Sequence, residues 1–216
     1  MKHAVGIAQG PLDGYGCHLL ESIQCMVERR KGGKTGVAAV QCLEGDAVWN
    51  YLDRHAWARN LFELALVRIE RREPGEVRDL AKNPAVFLVD YEDGLWVPAF
   101  LLTGALKGFS VAVGCEGEQE PISTYMWTPK GDSPHIFYHF VCLVENIEKM
   151  FEAGQLPYPI ERAQLTSGIL DLVLESRFQN HERVMTPQLR IRYQASKKSG
   201  YCESGPAYLV DPSLLE

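Results

Sequence analysis

The 216-residue sequence has no excess of basic charge: 28 acidic side chains outweigh 22 basic ones, for a net charge of −6. A nucleic-acid or anionic-membrane surface needs a basic face, so neither partner is expected. No apolar run approaches the roughly 18 residues of a membrane span. The opening Met1-Lys2-His3-Ala4-Val5-Gly6-Ile7-Ala8 has one cation and too short an apolar stretch for a signal peptide. None of Cys17, Cys25, Cys42, Cys115, Cys142 and Cys202 pairs as CxxC. A chain this long needs no disulfide staples, so the expectation is reduced thiols in a cytoplasmic protein. Internal repeats and low-complexity blocks are absent. What remains is ordinary: 46% apolar and 23% charged residues, which excludes collagen, coiled coil and disorder.

Hydrophobic periodicity predicts the following order. Gly6, Gly10, Gly14 and Gly16 form a glycine-rich lead-in to a helix over His18 to Arg30, with Leu19, Ile23, Met26 and Val27 as its apolar stripe and Glu28 to Lys31 as its solvated end. Val37 to Leu43 reads as a strand, and Asp53 to Arg71 as a second helix ended by Pro74-Gly75. The period then falls to two. Strands are expected at Ala85 to Asp90, Leu95 to Leu102, Phe109 to Val113 and around Ile122 to Met126, and their short glycine-containing links favour antiparallel neighbours. Pro98 marks an edge strand or a bulge. Ser133-Pro134 should start a third helix reaching Phe151, a fourth begins near Glu161, and Leu189, Ile191 and Tyr193 alternate as a last strand. The expected fold is α+β: an open, mostly antiparallel sheet with helices packed on one face. It fills residues 1–196, and 197–216 form a tail. The sheet's other face needs a cover, for which the expectation is a homo-oligomer formed through the sheet.

Several motifs fail on their own terms. Gly14-Tyr-Gly-Cys-His-Leu19 has leucine where a dinucleotide loop needs its third glycine. Gly33-Lys34-Thr35 resembles the end of a phosphate loop, but Glu28 stands where the leading glycine belongs. His135 and His139 are spaced as a helical metal pair, yet Ile136 replaces the glutamate of HExxH. No GxSxG occurs. Cys17, His18 and Cys25 offer too few ligands for tetrahedral zinc. No bound metal is therefore expected. His18 and Glu21 lie i, i+3 at a helix start with Asp13 nearby, an arrangement open to acid/base use or to a histidine that merely caps its helix.

Four segments carry a resemblance. They are Phe140-Val-Cys-Leu-Val-Glu-Asn-Ile-Glu-Lys-Met-Phe151, Gly154-Gln-Leu-Pro-Tyr-Pro-Ile-Glu-Arg162, Leu165-Thr-Ser-Gly-Ile-Leu-Asp171 and Thr186-Pro-Gln-Leu-Arg-Ile-Arg-Tyr193. Together with Gly14-Tyr-Gly-Cys-His-Leu-Leu-Glu21 they resemble, over about residues 10–194, the C-terminal domain of Gfo/Idh/MocA-type oxidoreductases. The resemblance implies NAD(P)-dependent oxidation or reduction of a sugar or polyol, with the cofactor on a separate N-terminal Rossmann domain that also provides a catalytic lysine. His18 matches the family's histidine and Glu21 an acidic position three residues on. The aspartate place, four before the histidine, is Gly14, with Asp13 adjacent. The implied catalytic set is therefore His18, Asp13 and Glu21. NAD or NADP is expected only with a separate dinucleotide domain, and this chain alone should bind no cofactor and at most a sugar or polyol. The alternative is a non-catalytic binding or scaffold module.

Overall fold

The computed structural model describes residues 1–32, 35–118, 120–126 and 138–196. The elements run β1 His3–Ala8, α1 Leu12–Val27, β2 Val37–Glu44, α2 Asp46–Arg54, α3 Ala56–Arg68, β3 Arg71–Arg72, α4 Val77–Leu80, β4 Ala85–Tyr91, β5 Trp96–Leu101, β6 Leu106–Lys107, β7 Phe109–Gly114, β8 Ile122–Met126, α5 Tyr138–Ala153, α6 Ile160–Phe178 and β9 Val184–Met185. The fold is α+β. Seven strands form one open sheet in the order β8-β7-β1-β5-β4-β2-β9, and β3 pairs with β6 apart from it. Every neighbouring pair in the large sheet is antiparallel except β1 with β5.

Contacts group the chain into Met1–Met126 with Glu161–Ala195, and Trp127–Ile160 with Ser196–Glu216. The expected tail, 197–216, and the expected helix start at Ser133-Pro134 lie outside the described residues. In the second unit, α5 and the segment after it line a hollow between His139, Cys142, Ile147, Leu156 and Tyr158.

Alternation along the strands sorts the first unit's core into two layers. Ala4, Ala8, Cys42, Phe87, Val89 and Ala99 pack with Leu19 and Ile23 of α1 and Leu165, Ile169 and Val173 of α6. Val5, Ile7, Val86, Phe100 and Ala112 pack with Val48 and Trp49 of α2 and Leu61, Phe62 and Ala65 of α3. The rings of Phe62 and Phe100 meet edge to face, 5.0 Å between centroids. So α1 and α6 cover one face of the sheet, and helices of the same chain also hide the centre of the face for which dimerisation was expected. Each layer buries enough side chains to be worth tens of kcal/mol at about 25 cal/mol per Å².

Four local expectations are corrected. The glycine-rich lead-in is β1, an interior strand of the sheet, followed by the first turns of α1. A Cβ at Gly6 would overlap Ile23 and Leu19, so the glycine serves close helix–strand approach rather than a loop. The helix expected over Asp53 to Arg71 is α3, Ala56–Arg68, and a separate, unexpected helix, Asp46–Arg54, ends just before it. His55 is extended (φ −121, ψ 86), and its ring stacks on Tyr51 at 4.2 Å, with Nδ1 2.8 Å from the Tyr51 carbonyl. Pro98 lies in an interior strand. Its pairing with β4 is unbroken, while the ladder to β1 skips Val97 and Pro98, as a residue without an N–H requires. Finally, Leu189 to Tyr193 is no strand: a 3-10 turn at Pro187–Leu189 leads into irregular chain. Leu189 and Tyr193 are buried all the same, because this segment crosses the bare backbone of Gly36, where a Cβ would overlap the Leu189 carbonyl.

Candidate functional site

β1 and β5 run in parallel, so their C-terminal ends open on the same rim of the sheet, where β2 ends and β4 begins. Gly10 (φ 88) turns the chain out of β1, and Pro11 is the N-cap of α1. Pro11, Leu12 and Asp13 of α1, Glu44 and Gly45 after β2, Lys82 and Asn83 before β4, Thr103 after β5 and Arg177 of α6 line a cleft of about 480 Å³. Arg177 spans it: Nε lies 2.9 Å from Glu44 Oε2, and Nη1 lies 3.6 Å from Asp13 Oδ1. Asn83 holds a left-handed backbone (φ 48), which asparagine tolerates better than most residues. The cleft thus gathers two cations, two carboxylates, an amide and a hydroxyl. A second hollow beside it is lined by Gln9, Gly10, Tyr15, Glu73 and Lys107.

The three residues singled out in the sequence diverge. Asp13 is exposed and borders the cleft beside Arg177. His18 is exposed further along α1, edge-on to the rings of Tyr15 and Phe109 at 6.0 and 6.3 Å. Glu21 is tied to α6: Oε2 is 2.8 Å from Arg162 Nη2, and Oε1 accepts the Thr166 hydroxyl at 2.5 Å. Asp13 and His18 are five positions apart on α1, a rise of about 7.5 Å, so the two do not share one hydrogen-bonding point.

Of the expected solvated end of α1, Arg29 and Lys31 are exposed, but Glu28 and Arg30 join a buried polar knot. Glu28 and Arg30 are each 7% exposed. Arg30 clasps Asp93 through Nε at 2.8 Å and Nη2 at 3.0 Å, donates to the Val27 carbonyl at 2.7 Å, and stacks over Tyr91 at 4.7 Å. It thereby caps the helix with its own side chain. Gln24 accepts from the Tyr91 hydroxyl at 2.6 Å and donates to the Tyr193 hydroxyl, which in turn donates to Glu28 at 2.8 Å. Burial raises the Asp93 carboxyl, but the Arg30 hydrogen bonds and charge outweigh it and hold Asp93 below its ordinary value. Burial pushes the Tyr91 and Tyr193 phenols well above theirs.

Sequence reasoning missed Glu44, Lys82, Thr103 and Arg177, which meet only through sheet topology. It also missed a neighbouring cluster. Cys42 and Glu44 share one side of β2, and His181 follows α6. One ligand atom from each lies within 4.8 Å of the others. Burial, and secondarily the Glu44 carboxylate, push the Cys42 thiol up to about 12. Of the weighed metal candidates, Cys17 is exposed and Cys25 half-buried, His139 lies against Phe140, and His135 is outside the described residues.

A dinucleotide does not fit the glycine segment. Gly14 and Gly16 are inside α1, where a Cβ at Gly16 would press on Leu170 and Phe87. The helix start has Pro11, which lacks an N–H, and Asp13 in its first turn, where a phosphate would need backbone donors and no fixed anion. Among the described residues, no helix is long and apolar enough to cross a membrane.

No protein-family model and no curated protein matches the sequence. Among solved structures, the crystal structure of myo-inositol 2-dehydrogenase from Lactobacillus plantarum is similar at a TM-score of 0.45 and 11% identity, over 86% of this chain and 56% of that one. An NAD-binding protein from Listeria innocua is similar at a TM-score of 0.39 and 12% identity, over 86% and 55%. The chain spans little more than half the length of each.

Proposed function

We propose that this chain is a ligand-binding domain of an oxidoreductase-type protein and that the cleft at the start of α1 receives a small sugar or polyol. The observation that carries this reading is the cleft's lining. Asp13, Glu44, Lys82, Asn83, Thr103 and Arg177 bring both donors and acceptors to about 480 Å³, which suits vicinal hydroxyls better than either an apolar ligand or a bare anion. The resemblance of residues 10–194 to the Gfo/Idh/MocA C-terminal domain adds the ligand class.

The residues divide the work. Asp13 accepts from a ligand hydroxyl, and Arg177 and Lys82 donate to others. His18, exposed and outside the cleft, does not touch a ligand seated there, and accepts a proton only if a separate dinucleotide-binding domain brings the reacting hydroxyl to it. Glu21 anchors α1 to α6. Hydride transfer is assigned to no residue of this chain.

Isothermal titration with neutral hexoses, hexitols and cyclitols tests the reading. Saturable binding that Asp13→Asn and Arg177→Gln each weaken about tenfold or more is expected, the loss of one charge-assisted hydrogen bond being about 1.5–3 kcal/mol. Absence of saturable binding across the panel overturns it. The alternative, a non-catalytic binding module, rests on Gly14 in the aspartate place. It fails if turnover with an added dinucleotide domain is abolished by His18→Ala.

A further inference from the structure

We propose that Cys42, Glu44 and His181 bind one divalent metal ion of the zinc class. Among the described residues, they form the one group of three such side chains whose ligand atoms all lie within 4.8 Å of one another. Thiolate, carboxylate and imidazole are a zinc donor set, and three protein ligands leave a fourth position for water or a ligand oxygen. Bond lengths of about 2.0–2.3 Å place tetrahedral ligands about 3.5 Å apart. Glu44 Oε2 and His181 Nε2 are already 3.8 Å apart.

The surroundings hold the three in place. Ser176 is completely buried. Its hydroxyl accepts the Cys42 N–H at 3.0 Å and donates to the Glu182 carbonyl, while its own carbonyl accepts the His181 N–H at 2.7 Å. One residue thus ties the strand carrying Cys42 to the loop carrying His181. Gln41 Nε2 donates to the His181 carbonyl at 2.7 Å, fixing the other side of that peptide. Asn180 and His181 are successive non-glycine residues in the left-handed region, at φ 57 and 67. Such strain persists only where the surroundings over-determine it, and it gathers at binding sites.

One further feature fits a bound cation. Arg177, the cation now beside Glu44, already has a second carboxylate, Asp13, at 3.6 Å, so it can keep a counter-charge when a metal takes Glu44. Binding releases the Cys42 thiol proton to water. Because Glu44 also lines the cleft, the metal would share its rim.

The test uses the full chain, stripped with chelator and titrated with Zn²⁺ against a chromophoric competitor, and in parallel with Co²⁺. One equivalent is expected to bind, with a thiolate-to-cobalt charge-transfer band. Cys42→Ser and His181→Asn should each weaken binding about tenfold or more. Arg177→Gln, which removes a neighbouring positive charge, should tighten it. Asparagine accepts the left-handed backbone at 181, so His181→Asn decides the matter if Cys42→Ser fails to fold. No saturable binding, a cobalt adduct without the charge-transfer band, or affinity unchanged in the folded variants overturns the proposal. No polyol enters these titrations, so their failure is separate from failure of the ligand reading.

Discussion

At its C-terminal end, α1 buries Gln24, Glu28 and Arg30 and supplies each with partners from β4, the Asp93 turn and the Tyr193 segment. At its N-terminal end, the same helix leaves Asp13 exposed over three quarters of its side chain, 3.6 Å from an Arg177 that is itself 44% exposed. The charges are similar in number and opposite in use. In the knot, polar groups satisfy one another away from water, and the product is a fixed seat for the helix. In the cleft, the same kinds of group face solvent, and their spare hydrogen-bonding capacity is available to a ligand. Charge clusters are therefore read by what their partners already occupy, not by composition.

Arg30→Ala should break this contrast most severely. It leaves the Asp93 carboxylate without its cation and the α1 end uncapped, at about 3 kcal/mol. Urea denaturation should show a lower midpoint with little change in slope. Gln24→Leu comes next. Stranding the buried Tyr91 hydroxyl and removing one of the two partners of Tyr193, which keeps Glu28, should cost about 2 kcal/mol, seen as a fall in melting temperature of several degrees.

Acid should sharpen the comparison. The Arg30 hydrogen bonds and charge, outweighing burial, hold the Asp93 carboxyl below its ordinary value in the folded protein. A depressed carboxyl contributes stability that is fully present above the unfolded pKa of about 3.9 and is lost as pH falls through the lower folded value. Melting temperature measured from pH 6 down to about pH 3 should therefore drop, and Asp93→Asn should flatten the low-pH part of that fall. A variant with an unchanged slope would mean that the knot does not govern acid stability.

On the open side, Arg177→Gln should change stability by less than about 1 kcal/mol, the usual scale for exposed ion pairs, while sharply weakening polyol binding. The smallest effect is expected of His18→Ala. As an exposed side chain outside the cleft, it should move stability by no more than about 0.5 kcal/mol and leave polyol affinity of this chain unchanged.

Legibility followed periodicity. The β4–β5 and β7–β8 hairpins and the inner face of α6 could be placed because alternation and the 3.6-residue stripe are local signals. β1 could not. Its residues are buried on both faces, so it lacks alternation, and Gly6, needed for contact with Ile23, resembles a loop residue. The Leu189 to Tyr193 segment misled in the opposite direction, since alternate burial arose without a ladder. Of the cleft's charged residues, only Asp13 was singled out in the sequence, as a carboxylate close to the expected helix start. Glu44 sits two residues from Cys42 on a strand, a spacing that sets both on one side, and that much was available locally. Nothing local joins either to Lys82, Arg177 or His181.

From the amino-acid order alone come the α+β class, most strand and helix positions and the failure of the nucleotide motifs, because these depend on neighbours within a few residues. Tertiary structure decided that β1 is an interior strand of the sheet, that helices lie on both of the sheet's faces, and that residues 13, 44, 82 and 177 surround one cleft. Those are consequences of strand order and of helices crossing the sheet. They bring together side chains up to 164 positions apart (13 to 177), and no local pattern records which distant partners will meet.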